Sequence, residues 1–211
     1  EAYKVIRNKI YEIKDQYGPE AFAGLTSARC TNEENYLFQK LFRTVIKTNN
    51  VDHCARLWHA STVAGLATTL GSGAMSNSIE EVLGTDAMFV IGSNTTENHP
   101  VIGSYMKRAK KAGAKLIVAD PRRIELAEYA DVFLQIKPGT NIALLNGIMN
   151  VIIENGLEDK RYIEENTEGF EGLVKTVKKY TPERVAKICG VDPDDIVKAA
   201  LIYGKAEKAG I

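Results

Sequence analysis

The chain has 211 residues, 45% of them hydrophobic and 26% charged, and its 27 Lys and Arg balance 27 Asp and Glu. That composition is ordinary for a globular fold. A formal charge of zero argues against binding to nucleic acid or an anionic membrane surface through bulk charge, because both need a basic field. Three cysteines, Cys30, Cys54 and Cys189, are odd in number and widely spaced. They read as reduced thiols rather than a disulfide framework. No apolar run approaches the roughly 20 residues of a membrane span.

Residues 2–16 place Ala2, Val5, Ile6, Ile10 and Ile13 on one helical stripe. Gly18-Pro19 stops that helix. Ala21 to Leu25 reads as a short buried strand, followed by a polar loop through Asn32. Thr31 or Asn32 caps the next helix, with Glu33 and Glu34 in its first turn where the helix dipole favours acids. That helix is expected to run to about Val45, with Tyr36, Leu37, Leu41, Phe42 and Val45 inward. A loop between a strand and a helix N-terminus suits an anion or a cofactor, but sequence alone favours a simple capped turn. After residue 60, Ser61 is expected to cap a helix through Leu70. The Gly71-Ser72-Gly73 run that follows half resembles a dinucleotide GxGxxG, but it follows a helix and lacks the last glycine.

From Ser78 the pattern alternates strand and helix. Asp86–Ile91, Leu116–Ala119 and Val132–Ile136 read as strands, nearly all apolar, as parallel strands covered on both faces should be. Helices are expected over 101–112, 124–129 and 142–155. This order defines a doubly wound parallel sheet, whose ligands sit at the carboxyl ends of the strands. The loops at those ends carry Gly92, Asn94, Glu97, His99, Asp120, Arg122, Gly139, Thr140 and Asn141. A nucleotide-like cofactor is the first expectation. Asp120 suits a ribose or base edge, and Arg122 suits a phosphate. Residues 158–208 read as helices without chemistry. The closing Lys208-Ala209-Gly210-Ile211 has the flavour of Lys111–Lys115, which leads into a strand. The chain is therefore expected to end at the start of a further strand, as a piece of a longer protein.

The seam between the two halves is chemically dense. Asn50 to Ser61 holds His53, Cys54, Arg56, His59 and Trp58, the single tryptophan. Three readings are open: a loop whose Trp58 plugs a core, a zinc site of His53, Cys54 and His59, or a redox or acid–base centre over the sheet's crevice.

Several motifs, in order, carry a resemblance. SARCTNEENYLFQKLFR, TNNVDHCARL, GSGAMSNSI, ADPRRIELAEYAD and PGTNIALLNG, with the GSN and TENHP stretches, resemble the catalytic subunits of molybdenum- or tungsten-dependent formate dehydrogenases, in the molybdopterin-dinucleotide oxidoreductase family. The likeness runs over essentially the whole chain. It implies a bis(molybdopterin guanine dinucleotide) centre contacted by Gly92, Asn94, Glu97, His99, Asp120, Arg122, Gly139, Thr140 and Asn141. Relatives often have Asp at position 97. Ser27, Arg29 and Asn32 would approach the second pterin. In that family a cysteine or selenocysteine follows the Cys-Ala-Arg-Leu run and ligates the metal, and the next residue is a proton-accepting His. Those positions are Trp58 and His59 here. An indole nitrogen is a donor only, whereas a soft chalcogenolate suits such a metal. The UGA codon for selenocysteine is one base from UGG for Trp, so a misread selenocysteine is the expectation at 58.

The resemblance further implies an internal fragment. The 4Fe-4S domain, the formate-binding Arg and the cap domain would lie elsewhere. The expected substrates are formate and CO2, with an electron-transfer subunit or carrier as partner, a cytoplasmic location, and no catalysis by the piece alone. The expected fold is a three-layer αβα domain over 56–211 with a partial α/β segment over 1–55 and a helical C-terminal part. Alternatives are another molybdopterin oxidoreductase such as a nitrate reductase, or a non-catalytic nucleotide-binding or scaffold domain if Trp58 is genuine. A nicotinamide dehydrogenase comes last, because no GxGxxG follows a strand.

Overall fold

The computed structural model describes all of residues 1–211. It divides into two compact units, Glu1–Ser76 and Asn77–Ile211. The division falls 21 residues beyond the boundary expected after residue 55. Near the end of the first unit, Gly73 turns back so tightly that a Cβ there would meet Val63 Cγ1 at 2.7 Å. That keeps the segment after the seam folded on itself.

The first unit opens with α1 (Ala2–Tyr17), which ends at Gly18, φ 80°. Pro19–Ala21 form a 3-10 turn. The strand β1 (Gly24–Thr26) therefore starts later than the apolar run suggested. Thr31 caps α2 (Asn32–Lys40): its hydroxyl accepts from the Glu34 N–H, and the Glu34 carboxylate accepts from the Thr31 N–H. This reciprocal box satisfies two donors that the first turn leaves over. Beyond Lys40 the helix widens into a π-helix, Leu41–Ile46, and stops at Lys47 with φ 68°. The inward face is Phe38, Phe42 and Ile46, whose two rings lie 4.8 Å apart. Tyr36, Leu37, Leu41 and Val45, expected inward, are exposed within this unit. β2 (Val51–His53) pairs parallel with β1, Thr26 opposite His53. It leads into α3 (Ala55–Trp58) and α4 (Ala60–Leu70). Ser61 lies inside α4 and does not cap it; residue 59 holds the N-cap position.

The second unit is built on four parallel strands in the order β5-β4-β3-β6. They are β3 (Ala87–Ile91), β4 (Lys115–Ala119), β5 (Val132–Leu134) and β6 (Ala209–Gly210). β6, foreshadowed by the closing residues, pairs with Ala87 and Met88 of β3. Between β3 and β4 lie α5 (Thr95–Asn98) and α6 (Pro100–Lys111). After β5 come α7 (Asn141–Glu154), α8 (Lys160–Asn166), α9 (Phe170–Val177), α10 (Pro182–Cys189) and α11 (Pro193–Gly204).

Side chains alternate along each strand, and both faces are covered. Phe89, Ile117, Ala119, Val132 and Leu134 pack with Leu144, Ile148 and Val151 of α7, Val185 of α10 and Ile196 of α11. Met88, Val90, Leu116 and Val118 pack on the other side with Ala109 of α6 and Ile124 and Leu126 of the β4–β5 connection. Leu116, Ile117 and Val118 are fully buried. Each such side chain contributes about 1.5–3 kcal/mol relative to exposure. This is the expected three-layer αβα arrangement.

At the amino end of β4, the Asp131 carboxylate accepts from the Leu116 N–H at 2.8 Å and pairs with Lys110 at 2.5 Å and Lys115 at 3.5 Å. Burial opposes ionisation, but the Lys110 bond, the Leu116 N–H and the two ammonium charges outweigh it and hold the carboxyl below its usual range. No helix is long and apolar enough to cross a membrane.

Candidate functional site

Two groups of predicted residues emerge, one in each unit. Both stand at the carboxyl ends of parallel strands.

In the second unit, β3 has β4 on one side and β6 on the other, so the strand order reverses there. Such a reversal opens the crevice in which open α/β sheets bind ligands. Hydrogen bonds draw the loops together: the Gly92 N–H donates to the Ala119 carbonyl at 3.0 Å, and the Asp120 N–H to the Leu134 carbonyl at 3.2 Å. Asn141, at the start of α7, completes the circle. A Cβ placed on Gly92 would lie 3.7 Å from Asn141 Nδ2, its one neighbour within 4 Å. Gly92 (φ 63°) and Gly139 (φ 80°) both hold a left-handed backbone, which favours glycine. A Cβ on Gly139 would meet nothing within 4 Å. The backbone at both positions is therefore open to close approach by a ligand.

Around this bare backbone stand polar groups of graded burial. Asn94 and Asp120 are buried, at 7% and 4% exposure. The Asn94 carbonyl accepts the Glu97 and Asn98 N–H groups and so starts α5. Asp120 Oδ1 accepts the Arg122 N–H at 2.8 Å, and the Arg122 Nε stands 3.9 Å away. Glu97, His99, Arg122 and Gly139 are exposed. The Thr140 hydroxyl donates to the Lys137 carbonyl at 2.7 Å. The arrangement offers a buried carboxylate acceptor, an exposed guanidinium, open backbone and the N-terminus of a long helix, a set suited to a ribose, a base edge and phosphate.

In the first unit, β1 and β2 deliver two loops to one end. The loop after β1 carries Arg29, whose N–H donates to Ser27 Oγ at 3.2 Å. The segment after β2 carries Trp58 as the last residue of α3. His59 joins α3 to α4: its N–H donates to the Ala55 carbonyl, and its carbonyl accepts the Val63 N–H at 2.7 Å. The Trp58 and His59 rings stack, centroids 5.3 Å apart at 23°. Trp58 is 44% exposed, so it does not plug a core. Nor do His53, Cys54 and His59 gather as a metal-holding set, which removes the zinc reading.

One residue of this site escaped the sequence reading. Asn35 of α2 receives the Thr26 hydroxyl on Oδ1, and its Nδ2 donates to the Ser27 and Thr31 carbonyls at 3.2 and 3.1 Å. It thereby closes the Arg29 loop at both ends. Its position four residues after the capping Thr31 was the available signal.

Comparison with known proteins gives a consistent picture. A family described as molybdopterin oxidoreductase matches residues 1–207. The chain is 52% identical over 210 residues to the F420-dependent formate dehydrogenase subunit alpha of Methanocaldococcus jannaschii, covering 100% of this chain and 30% of that one. It is 48% identical over 212 residues to formate dehydrogenase H of Escherichia coli, with the same coverage. The chain thus spans about a third of the length of these relatives. A solved structure, acetylene hydratase from Pelobacter acetylenicus, superposes with a TM-score of 0.73 at 30% identity, over 100% of this chain and 28% of that one.

Proposed function

The chain belongs to the molybdopterin oxidoreductase family, and from that premise we propose that it is part of the catalytic subunit of a formate dehydrogenase. The observation that carries this reading is 46–52% identity, over the whole chain, to relatives named formate dehydrogenase. The proposed reaction is formate oxidation to CO2 or its reverse. The proposed cofactor is a molybdenum or tungsten bis(molybdopterin guanine dinucleotide). A 4Fe-4S cluster and an electron-transfer subunit or carrier would take the electrons, outside residues 1–211.

The fit to this group is good at the sheet and poor at residue 58. The glycine-lined crevice, buried Asp120 and exposed Arg122 suit a dinucleotide, with Asn94, Glu97, His99, Thr140 and Asn141 as further contacts. Arg29 is proposed for the second pterin. The indole of Trp58 offers no lone pair to a metal. When bound, the cofactor supplies the two-electron acceptor. The protein's part is to bind and orient it and to hold a proton near the substrate. His59, directly after the ligand position, is the proposed proton acceptor, imidazole being the side chain suited to that exchange near neutral pH.

The misfit is resolved if residue 58 is selenocysteine in the functional protein. A UGA codon, or the mass of the peptide holding residue 58, tests this; a UGG codon sinks it. A genuine Trp58 supports the second reading, a domain that binds nucleotide without catalysis. Turnover by the full-length enzyme separates the family's activities: formate oxidation is expected, and reduction of nitrate without it would overturn the reading.

A further inference from the structure

We propose that Cys54 is a positioning residue, whose sulfur sets the spacing between the loop that presents Arg29 and the helix that presents residue 58. The proposal rests on the reading that both residues serve one cofactor.

The backbone ladder between β1 and β2 ends where this spacing has to be set. The last rung is the Cys54 N–H donating to the Thr26 carbonyl at 3.1 Å. Beyond it the two chains diverge into the Ser27–Thr31 loop and into α3. One side chain crosses the gap. Cys54 Sγ accepts the Ala28 N–H at 3.2 Å and lies 3.9 Å from Ser27 Oγ.

The groups on either side of the crossing are held. His53 Nδ1 accepts the Ala55 N–H at 3.1 Å, so that nitrogen acts as an acceptor, and it stands 3.9 Å from the sulfur. Asp52 Oδ1 accepts the His53 N–H at 2.8 Å, and Oδ2 pairs with Arg56 Nε at 3.0 Å. These contacts seat the first turn of α3 on β2. On the other side, Asn35 fastens both ends of the loop. Two braced segments are therefore joined through one sulfur.

A filler role fits this cysteine poorly. Cys189 differs: it is fully buried in the apolar cluster with Leu144 and Val185, and its thiol donates to the Thr140 carbonyl at 3.6 Å. Cys54 is half-buried and belongs to no apolar cluster. Its neighbours are an amide, a hydroxyl and an imidazole. Alanine would leave the Ala28 N–H without its acceptor, and serine would offer an acceptor on a shorter bond.

The experiment uses the full-length enzyme with its natural residue 58. Wild type, Cys54→Ala, Cys54→Ser and Cys30→Ser are compared by amide hydrogen exchange, thermal midpoint, and kcat and KM for formate. Cys30 is exposed on the same loop and serves as the control. The expected result for Cys54→Ala is about tenfold faster exchange at the Ala28 amide. Its kcat should fall about tenfold with KM unchanged, as displacement of a reacting group predicts. Cys54→Ser should recover part of both, and Cys30→Ser should match wild type. If Cys54→Ala does not fold, the serine variant must still show an intermediate loss in exchange protection and in kcat. Unchanged Ala28 exchange in a folded Cys54 variant, or a lowered midpoint with kcat intact, overturns the proposal. If wild type turns over no formate, the functional reading fails, while the Ala28 contrast still decides whether the sulfur bond exists.

Discussion

The two units hold themselves together differently. The sheet of the second unit rests on buried aliphatic side chains, with Leu116, Ile117, Val118 and Leu144 fully inaccessible. The first unit buries Ile46 and Thr48 but exposes Tyr3, Val5, Tyr36, Leu37 and Leu57. What fixes its loops is a set of side-chain hydrogen bonds, from Asn35, from Cys54, and from Asn50, whose Nδ2 reaches the Glu20 and Phe22 carbonyls. One unit is specified by volume, the other by donors and acceptors.

Mutations should separate these modes. Leu144→Ala, in the middle of the second core, should cost about 3 kcal/mol in denaturant unfolding, the range for a buried leucine. A loss below about 1 kcal/mol would break the contrast. Gly147→Ala should cost about 2 kcal/mol by overpacking, because the new Cβ would meet Val185 Cγ2 at 2.8 Å. Gly24→Ala looks tighter still, with Phe42 Cζ at 2.6 Å and Phe38 Cζ at 2.7 Å. Yet those rings are only half-buried and can swing toward solvent, so about 1 kcal/mol is expected. Thermal unfolding of the two glycine variants side by side checks the order.

A pH series sharpens the comparison within the second unit. The Asp131 carboxyl is held below its usual range. Its stabilisation is therefore present above the ordinary aspartate pKa of about 3.9 and is lost as pH falls through the lower folded value. Asp131→Asn should lower stability by about 1 kcal/mol at neutral pH. The difference from wild type should shrink as pH falls through the lowered folded value of this carboxyl. A constant gap across pH would mean that packing, and not ionisation, carries the effect. The smallest effect is expected at Lys47, the non-glycine residue with positive φ. Lys47→Gly should stabilise the first unit by about 0.5–1 kcal/mol, relieved left-handed strain exceeding the added chain entropy.

The same contrast explains what the sequence reveals. β3 and β4 are legible because parallel strands covered on both faces are runs of apolar residues. The crevice residues follow, because a strand end fixes where its loop begins. The apolar stripes of α1 and α2 are equally visible, but a stripe marks a face without naming what covers it. Asn35 and Cys54 leave no periodicity, since their bonds run to the end of β1 and the loop after it. The close approach of Gly73 to Val63 likewise leaves no mark in the hydropathy pattern. The roles proposed for residues 58 and 59 come from motif resemblance and not from pattern.

The register of β6 has a consequence for synthesis of the chain. The Lys208 N–H donates to Asp86, 122 residues earlier. On a ribosome adding about 5–20 residues per second, β3 would wait roughly 6–24 seconds for that neighbour. During that interval Ala87 and Met88, the residues that β6 pairs with, would present an open strand edge, the kind that invites pairing with another chain. Aggregation of the nascent protein should therefore depend on how fast the ribosome crosses the helices between β5 and β6.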